Sequence, residues 1–167
     1  RGEAYEYHQT TERGIVDLFS VSQIRKVAFD QYRGVDPFLL EQGRKRGSIL
    51  HHRFWQALAK HVGLYSPILF TPPGMEGFCL SMDRWIGENV FDVERIEWTS
   101  SCLELGFAGT ADAKLILRKK HRRTIVDLKT GAPTKTDPMQ LLAYEKMKDY
   151  EDAQDLLDLY IQADGSY

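Results

Sequence analysis

The sequence predicts a single α/β domain, with a central mixed β-sheet flanked by α-helices. The 167 residues are 43% hydrophobic and 28% charged, which suits one domain with a buried core and no need of disulfides. Segments with helical periodicity and extended segments occur along the same chain. Proline, glycine and aspartate separate them, so residues 1–167 are expected to form one folded unit.

The first part of the chain is predicted to form a short hairpin followed by a helix. Residues 4–8 and 15–19 are the two predicted strands. The helix is predicted over about Val21–Tyr32, with Ser20 or Ser22 as the residue that caps its first turn.

Two further helices are predicted before the main group of strands. Asp36-Pro37 is a capping acid followed by a first-turn proline, and this helix continues to about His61 with an interruption near Gly43 or Gly47. The next helical stretch opens at Thr71. Its apolar residues recur at steps of three and four and are predicted to face the core. They are Met75, Phe78, Cys79, Met82, Trp85 and Ile86.

From Val90 onward the pattern predicts an antiparallel sheet. The strands are expected at residues 90–99, 103–117 and 124–129, and the basic run 118–123 is expected to connect the last two as a hairpin.

The C-terminal region is predicted to add one helix and one strand. The helix starts at Asp137-Pro138 and reaches about Tyr150, and the strand covers 156–162. The turn signal Asp164-Gly165 is followed by only two residues. A partner strand is therefore expected after Tyr167, and the domain is predicted to be incomplete at its C-terminus.

Composition excludes several classes of protein. Cys79 and Cys102 lack the spacing of a zinc site or a disulfide framework. No apolar run approaches the roughly 20 residues that span a bilayer, and the charged N-terminus lacks the apolar core of a signal peptide. We expect an intracellular, cytoplasmic protein that does not associate with a membrane.

The charge is distributed unevenly along the chain. The formal net charge is -2, but residues 145–167 are strongly acidic and the remainder is net basic. Local basic clusters decide whether a surface attracts nucleic acid. The candidate DNA-binding residues are Arg44, Arg46, Arg118, Lys119, Lys120 and Arg122. A solvated hairpin without a binding role is the alternative for residues 118–123.

Two acids and a lysine are predicted to share one face of the sheet. Residues two apart on a strand point the same way, so Asp127 and Lys129 project together. A hairpin centred between Lys120 and His121 sets Asp112 opposite Lys129 and diagonal to Asp127. Neighbouring carboxylates repel unless a proton or a cation separates them, and Mg²⁺ prefers such oxygen ligands. This patch is therefore a candidate metal-dependent phosphodiesterase site.

The same residues resemble the D…(D/E)xK motif of the PD-(D/E)xK nucleases, and the wider pattern resembles their RecB-like branch. Four segments carry the resemblance, which covers nearly the whole chain: Gly47–His51 (GxxxH), Gly109–Asp112 (GxxD), Asp127–Gly131 (DxKTG) and Gln140–Tyr144 (QxxxY). The resemblance implies a restriction-endonuclease-like core, similar to that of small stand-alone exonucleases of phage or mitochondrial type.

The resemblance also implies a role for each site residue. The metal, Mg²⁺ with Mn²⁺ as a substitute, would be held by His51, Asp112, Asp127 and the Leu128 carbonyl, with Glu94 as a further ligand. Lys129 would be catalytic together with the two aspartates, and Gln140 and Tyr144 would support the site or the DNA. Ordinary alternatives exist for some of them: a surface histidine for His51, a packing pair for Gln140 and Tyr144, and one acid among several on these strands for Glu94.

The implied function is metal-dependent hydrolysis of single- or double-stranded DNA. An exonuclease of recombination, repair or phage DNA processing, with recombination or replication proteins as partners, is the preferred hypothesis. A structure-selective endonuclease, a non-cutting nucleic-acid-binding subunit and a hydrolase of small phosphoesters are alternatives. Iron-sulfur members of the group need four cysteines, so no Fe-S cluster is expected in a chain with two. The expected compartment is the cytoplasm of a bacterial or phage-infected cell rather than the mitochondrial matrix.

Overall fold

The structure, a computed structural model, describes residues 6–12, 14–28, 34–64 and 68–167. The predicted α/β fold is confirmed, since these residues form a six-stranded mixed sheet flanked by four α-helices. The strands are β1 (Tyr7–Thr11), β2 (Gly14–Ser20), β3 (Val90–Cys102), β4 (Phe107–Leu117), β5 (Arg122–Lys129) and β6 (Asp155–Tyr160). The helices are α1 (Val21–Ala28), α2 (Pro37–His61), α3 (Glu76–Asn89) and α4 (Asp137–Glu145), with a 3-10 turn at Lys148–Tyr150.

The sheet combines antiparallel hairpins with two parallel pairs. The order is β1-β2-β4-β5-β6, and β3 also pairs with β4. Strands β2 and β4 are parallel, as are β5 and β6, whereas the other pairs are antiparallel. Helix α4 lies in the connection from β5 to β6, which is the usual way of joining parallel neighbours. Strand β5 therefore lies between β4 and β6, and its residues have neighbours on both sides.

Local capping chemistry starts the first two helices where the sequence predicts. Ser20 is the cap of α1: its Oγ accepts from the Gln23 N–H at 3.0 Å, and the Gln23 side chain accepts from the Ser20 N–H at 2.7 Å. Asp36 caps α2 by accepting from the Phe38 N–H at 2.7 Å, and Pro37 is the first helical residue.

The predicted interruption of α2 is wrong. The helix runs without a break through Gly43 and Gly47 for 25 residues. An interior glycine costs about 1 kcal/mol relative to alanine. Fully buried Leu50, Phe54 and Leu58 anchor the helix against the sheet, and their burial outweighs that cost.

Other element boundaries differ from the prediction for identifiable reasons. Helix α3 begins at Glu76 rather than Thr71, because Gly74 adopts φ 77° and breaks the first turn. Strand β4 begins at Phe107 rather than residue 103, because Gly106 turns at φ 73° and its N–H bonds back to Cys102.

Helix α4 is shorter than predicted. It ends at Glu145 instead of Tyr150, since Met147 is extended at ψ 140° and begins the 3-10 turn. Met147 and Tyr150 are both buried in this conformation.

Two apolar clusters form the core. The larger packs α2 and α3 on one part of the sheet and includes Leu50, Phe54, Leu115 and Leu128. Five residues of the predicted stripe, from Phe78 to Ile86, belong to it, which confirms their core assignment, whereas Met75 precedes α3 and packs against the cluster partly buried. The smaller cluster packs α4 and the 3-10 turn on β4 and β5 and includes Tyr144. Val126 and Leu128 belong to the larger cluster and Ile125 to the smaller, so the two clusters lie on opposite faces of β5.

The residues after β6 turn back onto α3. The Ser81 hydroxyl bonds to the Ser166 carbonyl, and a Cβ at Gly77 would lie 1.7 Å from the Ala163 carbonyl oxygen. This approach requires glycine at residue 77. The predicted turn at Asp164-Gly165 is present, with Gly165 at φ 85°.

Parts of two predicted elements fall outside the described residues. These are residues 4 and 5 of the first strand and the end of the first helix, residues 29–33. Within the described ranges, none of the helices has the length and apolarity to cross a membrane.

Candidate active site

The β4–β5 hairpin brings two carboxylates to the same level of the sheet. Its register ends at Ala113 opposite Val126, and one further residue places Asp112 level with Asp127. The sequence prediction, which set Asp112 opposite Lys129, is therefore wrong by two residues.

The turn of the hairpin explains this difference. It comprises residues 118–121, with Lys120 at φ 69° and His121 at φ 48°, so its centre lies one residue earlier than predicted. Because the resulting shift is an even number of residues, Asp112 and Asp127 still share one face.

Asp112 joins three elements. Its Oδ2 accepts from the Leu128 N–H on β5 at 2.7 Å. Its Oδ1 lies 2.7 Å from Nδ1 of His51 on α2, a distance at which the ring N–H donates to the carboxylate. With 7% of its surface exposed, Asp112 is a buried acid that links the sheet to the helix.

Asp127 and Lys129 are in direct contact. Nζ of Lys129 lies 2.5 Å from Oδ2 of Asp127 and donates to Oε1 of Gln140 at 2.8 Å. Asp127 is 3% exposed. The shared face predicted for these two residues is therefore confirmed as geometry.

Gln140 and Tyr144 face the site from α4. The Gln140 amide donates to Oδ1 of Asp127 at 2.8 Å and to the Tyr144 hydroxyl at 2.7 Å. The Tyr144 hydroxyl in turn donates to the Thr110 carbonyl at 2.8 Å. One amide thus accepts from Lys129 and donates to Asp127, which fixes the separation of the two charged groups.

Gly109 makes the approach of α4 possible. A Cβ at this residue would lie 2.9 Å from Cε1 of Tyr144 and 3.0 Å from Met147 and Val21. A larger residue would push Tyr144 away from the site. The glycine of the GxxD segment therefore has a packing role, whereas a Cβ at Gly47 would meet only Thr130, at 3.8 Å.

The two acids and the histidine perturb one another. Burial and the charge of Asp112 raise the pKa of Asp127 from 3.8 to about 6, although Lys129 acts in the opposite direction. Burial alone would lower the pKa of His51, but its hydrogen bond to Asp112 and the charges of both acids outweigh burial and leave this pKa above 6.5. The two buried carboxylates therefore make this site favourable for positive charge.

The oxygen and nitrogen donors of this site suit a hard divalent cation, but they are not positioned as a complete coordination shell. Two carboxylates and an imidazole lie around one depression of about 360 Å³, which Leu128 also lines. Among the described residues, no three His, Cys, Asp or Glu side chains already form a group that could hold a metal ion. Because Lys129 contacts Oδ2 of Asp127, a metal ion bound to that oxygen would compete with the lysine.

Glu94 does not join these residues. On β3, its carboxylate lies 2.8 Å from Nε of Arg123 and 3.6 Å from Nζ of Lys114. The expected fifth metal ligand is thus engaged in ion pairs farther along the sheet.

The basic residues of α2 differ in their availability. Arg44 is exposed and lines a groove of about 640 Å³ beside His51. Arg46 is half-buried: its guanidinium donates to the Thr130 carbonyl at 3.3 Å and stands 5.4 Å over the Phe78 ring. Arg46 therefore fastens the end of β5 to α2 and α3.

The basic hairpin lies at the other end of β4. Arg118 is six residues from Asp112, on the order of 20 Å at about 3.3 Å per residue. Arg118, Lys119 and Lys120 are exposed, whereas Arg122 pairs with Asp155 at 3.0 Å. These cations are therefore distant from the two acids.

The groove beside His51 adjoins the smaller depression and shares His51, Thr110, Asp112 and Gln140 with it. Trp55, one helical turn beyond His51, lines its wall. A chain molecule lying in this groove would pass His51 and Asp112, at the border of the depression that Asp127 lines.

Sequence reasoning missed two residues of the site. Arg25 on α1 contacts the Gln140 amide oxygen and lies 2.9 Å from Asp137, so it connects α1 to α4. Asp158 on β6 lies beside Asp127 in the parallel register. No local spacing relates either residue to the hairpin, because the long connections of the fold bring them there.

Comparisons with known proteins do not assign a family. A scan against protein-family models finds none that matches this chain, and a search of curated proteins finds no match either.

Proposed function

We propose that this chain is a divalent-metal-dependent deoxyribonuclease of the PD-(D/E)xK type. The observation that supports this most strongly is the convergence of His51, Asp112, Asp127 and Lys129, which belong to three separate elements. The contacts of Gln140 with Asp127 and Lys129 add support.

His51, Asp112, Asp127 and the Leu128 carbonyl would hold the cation. When bound, a divalent cation supplies Lewis-acid polarisation of a phosphodiester and neutralises charge that develops on it. The chain's own contribution is to position charge: Asp112 and Asp127 present carboxylate oxygens, and Lys129 presents an ammonium group to the reacting phosphate. Gln140 and Tyr144 hold Asp127 in orientation through hydrogen bonds.

DNA is the proposed substrate, and the groove lined by Arg44 is its proposed path. A basic side chain beside a DNA-binding groove raises the affinity for DNA, because its contact with a phosphate releases counterions. Exonuclease action follows from the resemblance to small RecB-like exonucleases, with a structure-selective endonuclease as the alternative. An intracellular setting and recombination or replication partners belong to the same proposal.

The test is a cleavage assay on end-labelled single- and double-stranded DNA, linear and circular, with Mg²⁺, Mn²⁺ or EDTA. Cleavage is expected with either metal and not with EDTA. Asp127→Ala and Lys129→Ala should each reduce the rate by about 10²–10³-fold, whereas the matched control Asp155→Ala should not. Circular dichroism checks that each variant is folded.

Each outcome bears on one part of the proposal. If wild-type protein cuts no DNA with either metal, the nuclease function is wrong. If circles are cut as readily as linear molecules, the enzyme is an endonuclease.

A further inference from the structure

Asp158 is a second carboxylate beside Lys129. The parallel register of β5 and β6 aligns Asp158 with Asp127, and the Asp158 side chain is 11% exposed. Its Oδ1 is buried and has no hydrogen-bond partner among the described residues. This oxygen lies 3.7 Å from Nζ of Lys129. A buried carboxylate oxygen without a donor is costly, so its place beside an ammonium group needs an explanation.

The Lys129 ammonium can serve this oxygen. An ammonium has three N–H donors, and two directions are already used, toward Asp127 at 2.5 Å and Gln140 at 2.8 Å. Burial raises the pKa of Asp158 above its usual value, and the charge of Lys129 offsets only part of this effect. Asp158 is therefore an acceptor that the present position of Lys129 leaves incompletely satisfied.

A divalent cation on Asp127 would change where Lys129 can lie. Two cations cannot both take Oδ2 of Asp127 at contact distance without repelling each other. Oε1 of Gln140 is already shared with Arg25. Among the described residues, Oδ1 of Asp158 is a buried acceptor that has no donor, and a shift of about 1 Å from 3.7 Å would bring Nζ to the usual charge-assisted distance of about 2.8 Å.

The other charged groups near Asp158 are Asp137 and Arg25. Asp137 accepts from Tyr160 at 2.7 Å and pairs with Arg25 at 2.9 Å. Within the described part of the chain, Lys129 is the cation recorded in an ion-pair contact with Asp158.

We propose that Asp158 is a positioning residue that receives the Lys129 ammonium when a divalent cation occupies Asp127. This inference rests on the proposed metal-dependent function. It adds how the Lys129 ammonium gives way to the metal ion at Asp127. Lys129 then stays beside the reacting position in both states, because Asp158 holds it within about 1 Å of its metal-free place.

The test measures Mn²⁺ binding by isothermal titration calorimetry on the whole chain without DNA. Asp158→Asn removes the charge and keeps the volume, so Lys129 remains on Asp127 and competes with the metal. We expect the dissociation constant to rise about five-fold or more, the lower end of typical coupling between linked sites. The matched control Asp155→Asn, on the same strand but paired with Arg122, should bind Mn²⁺ as wild type does.

A Lys129→Met background separates positioning from simple attraction by a nearby negative charge. Without the lysine, Asp158→Asn should change Mn²⁺ affinity little. An equal loss of affinity with and without the lysine would overturn the proposal, as would a wild-type affinity in Asp158→Asn. If Asp158→Asn does not fold, Asp158→Ala serves as the second variant.

The two proposals fail in different ways. If wild-type protein binds no Mn²⁺, the metal-dependent function fails and this inference fails with it. If Mn²⁺ binds and DNA is cut but the variants show no coupling to Lys129, the inference alone is wrong.

Discussion

Strands β4 and β5 both contribute to two clusters of charged side chains, which have similar residue types and differ in chemistry. The inner cluster consists of His51, Asp112, Asp127 and Lys129, and the outer cluster consists of Glu94, Lys114, Arg123 and Asp152. In the outer cluster both acids contact both bases: the Lys114–Asp152 and Arg123–Glu94 contacts are completed by Lys114–Glu94 at 3.6 Å and Arg123–Asp152 at 3.5 Å. In the inner cluster the one lysine contacts Asp127, and Asp112 relies on a backbone N–H and an imidazole.

The difference lies in charge balance and burial. Asp152 is 55% exposed, and Lys114 holds its pKa below the usual value. Asp127 is 3% exposed, and burial with the charge of Asp112 raises its pKa to about 6. Two buried acids beside one lysine favour the uptake of a proton or a cation, whereas two acids that are paired with two bases are already balanced. This difference, rather than the residue types, distinguishes the candidate site.

The largest expected effect is the difference in DNA cleavage rate between a variant that neutralises an acid of the inner cluster and one that neutralises an acid of the outer cluster. Asp112→Asn should lower the DNA cleavage rate by about 10²–10³-fold, because it removes a carboxylate from the proposed metal set. Glu94→Gln breaks only partly exposed ion pairs and should change the rate by about two-fold at most. Initial rates on a linear substrate in Mg²⁺ measure both. Equal losses of rate in the two variants would mean that both clusters serve catalysis. Charge balance and burial would then not distinguish the active site.

The two clusters should also contribute to folding stability with opposite dependence on pH. The pKa of Asp127 is raised in the folded state. The stability that Asp127 contributes is therefore fully present below pH 3.8 and is lost as the pH rises through about 6. The raised pKa of His51 acts in the same direction. The lowered pKa of Asp152 gives a contribution that is present above 3.8 and lost at lower pH.

Urea unfolding of the metal-free protein at pH 5 and pH 8 measures this response. Wild type should be less stable at pH 8, with a share from Asp127 on the order of 1 kcal/mol. Asp127→Asn should remove that share, while Asp152→Asn should leave the difference unchanged. A pH response that survives in Asp127→Asn would show that this carboxyl does not carry it.

Local chemistry made much of the fold predictable. Ser20 and Asp36-Pro37 start helices because their capping contacts involve only nearby residues. Asp127 and Lys129 share a face because the strand period is two. Gln140 and Tyr144 face the site together because they lie one helical turn apart.

Long-range geometry limited the rest. The register of the hairpin depended on the left-handed conformation of Lys120 and His121, which is uncommon for residues other than glycine. Glu94 was one acid among several on β3, and only the pairing of strands reveals that it meets Arg123. Asp158 reaches Lys129 through a parallel pairing across α4, and no sequence period encodes that contact.

The smallest expected effect concerns the basic residues beyond the clusters. Arg44 lines the groove, whereas Lys119 and Lys120 lie roughly 20 Å from the acids, a span of about six base pairs at 3.4 Å each. Arg44→Ala should therefore weaken binding of both an eight-nucleotide strand and a 24-base-pair duplex. The double variant Lys119→Ala/Lys120→Ala should weaken only the duplex, by about two- to five-fold, and reduce its salt slope by about one per lost phosphate contact. Fluorescence anisotropy in EDTA measures both, and an unchanged duplex affinity in the double variant would remove the hairpin from the DNA path.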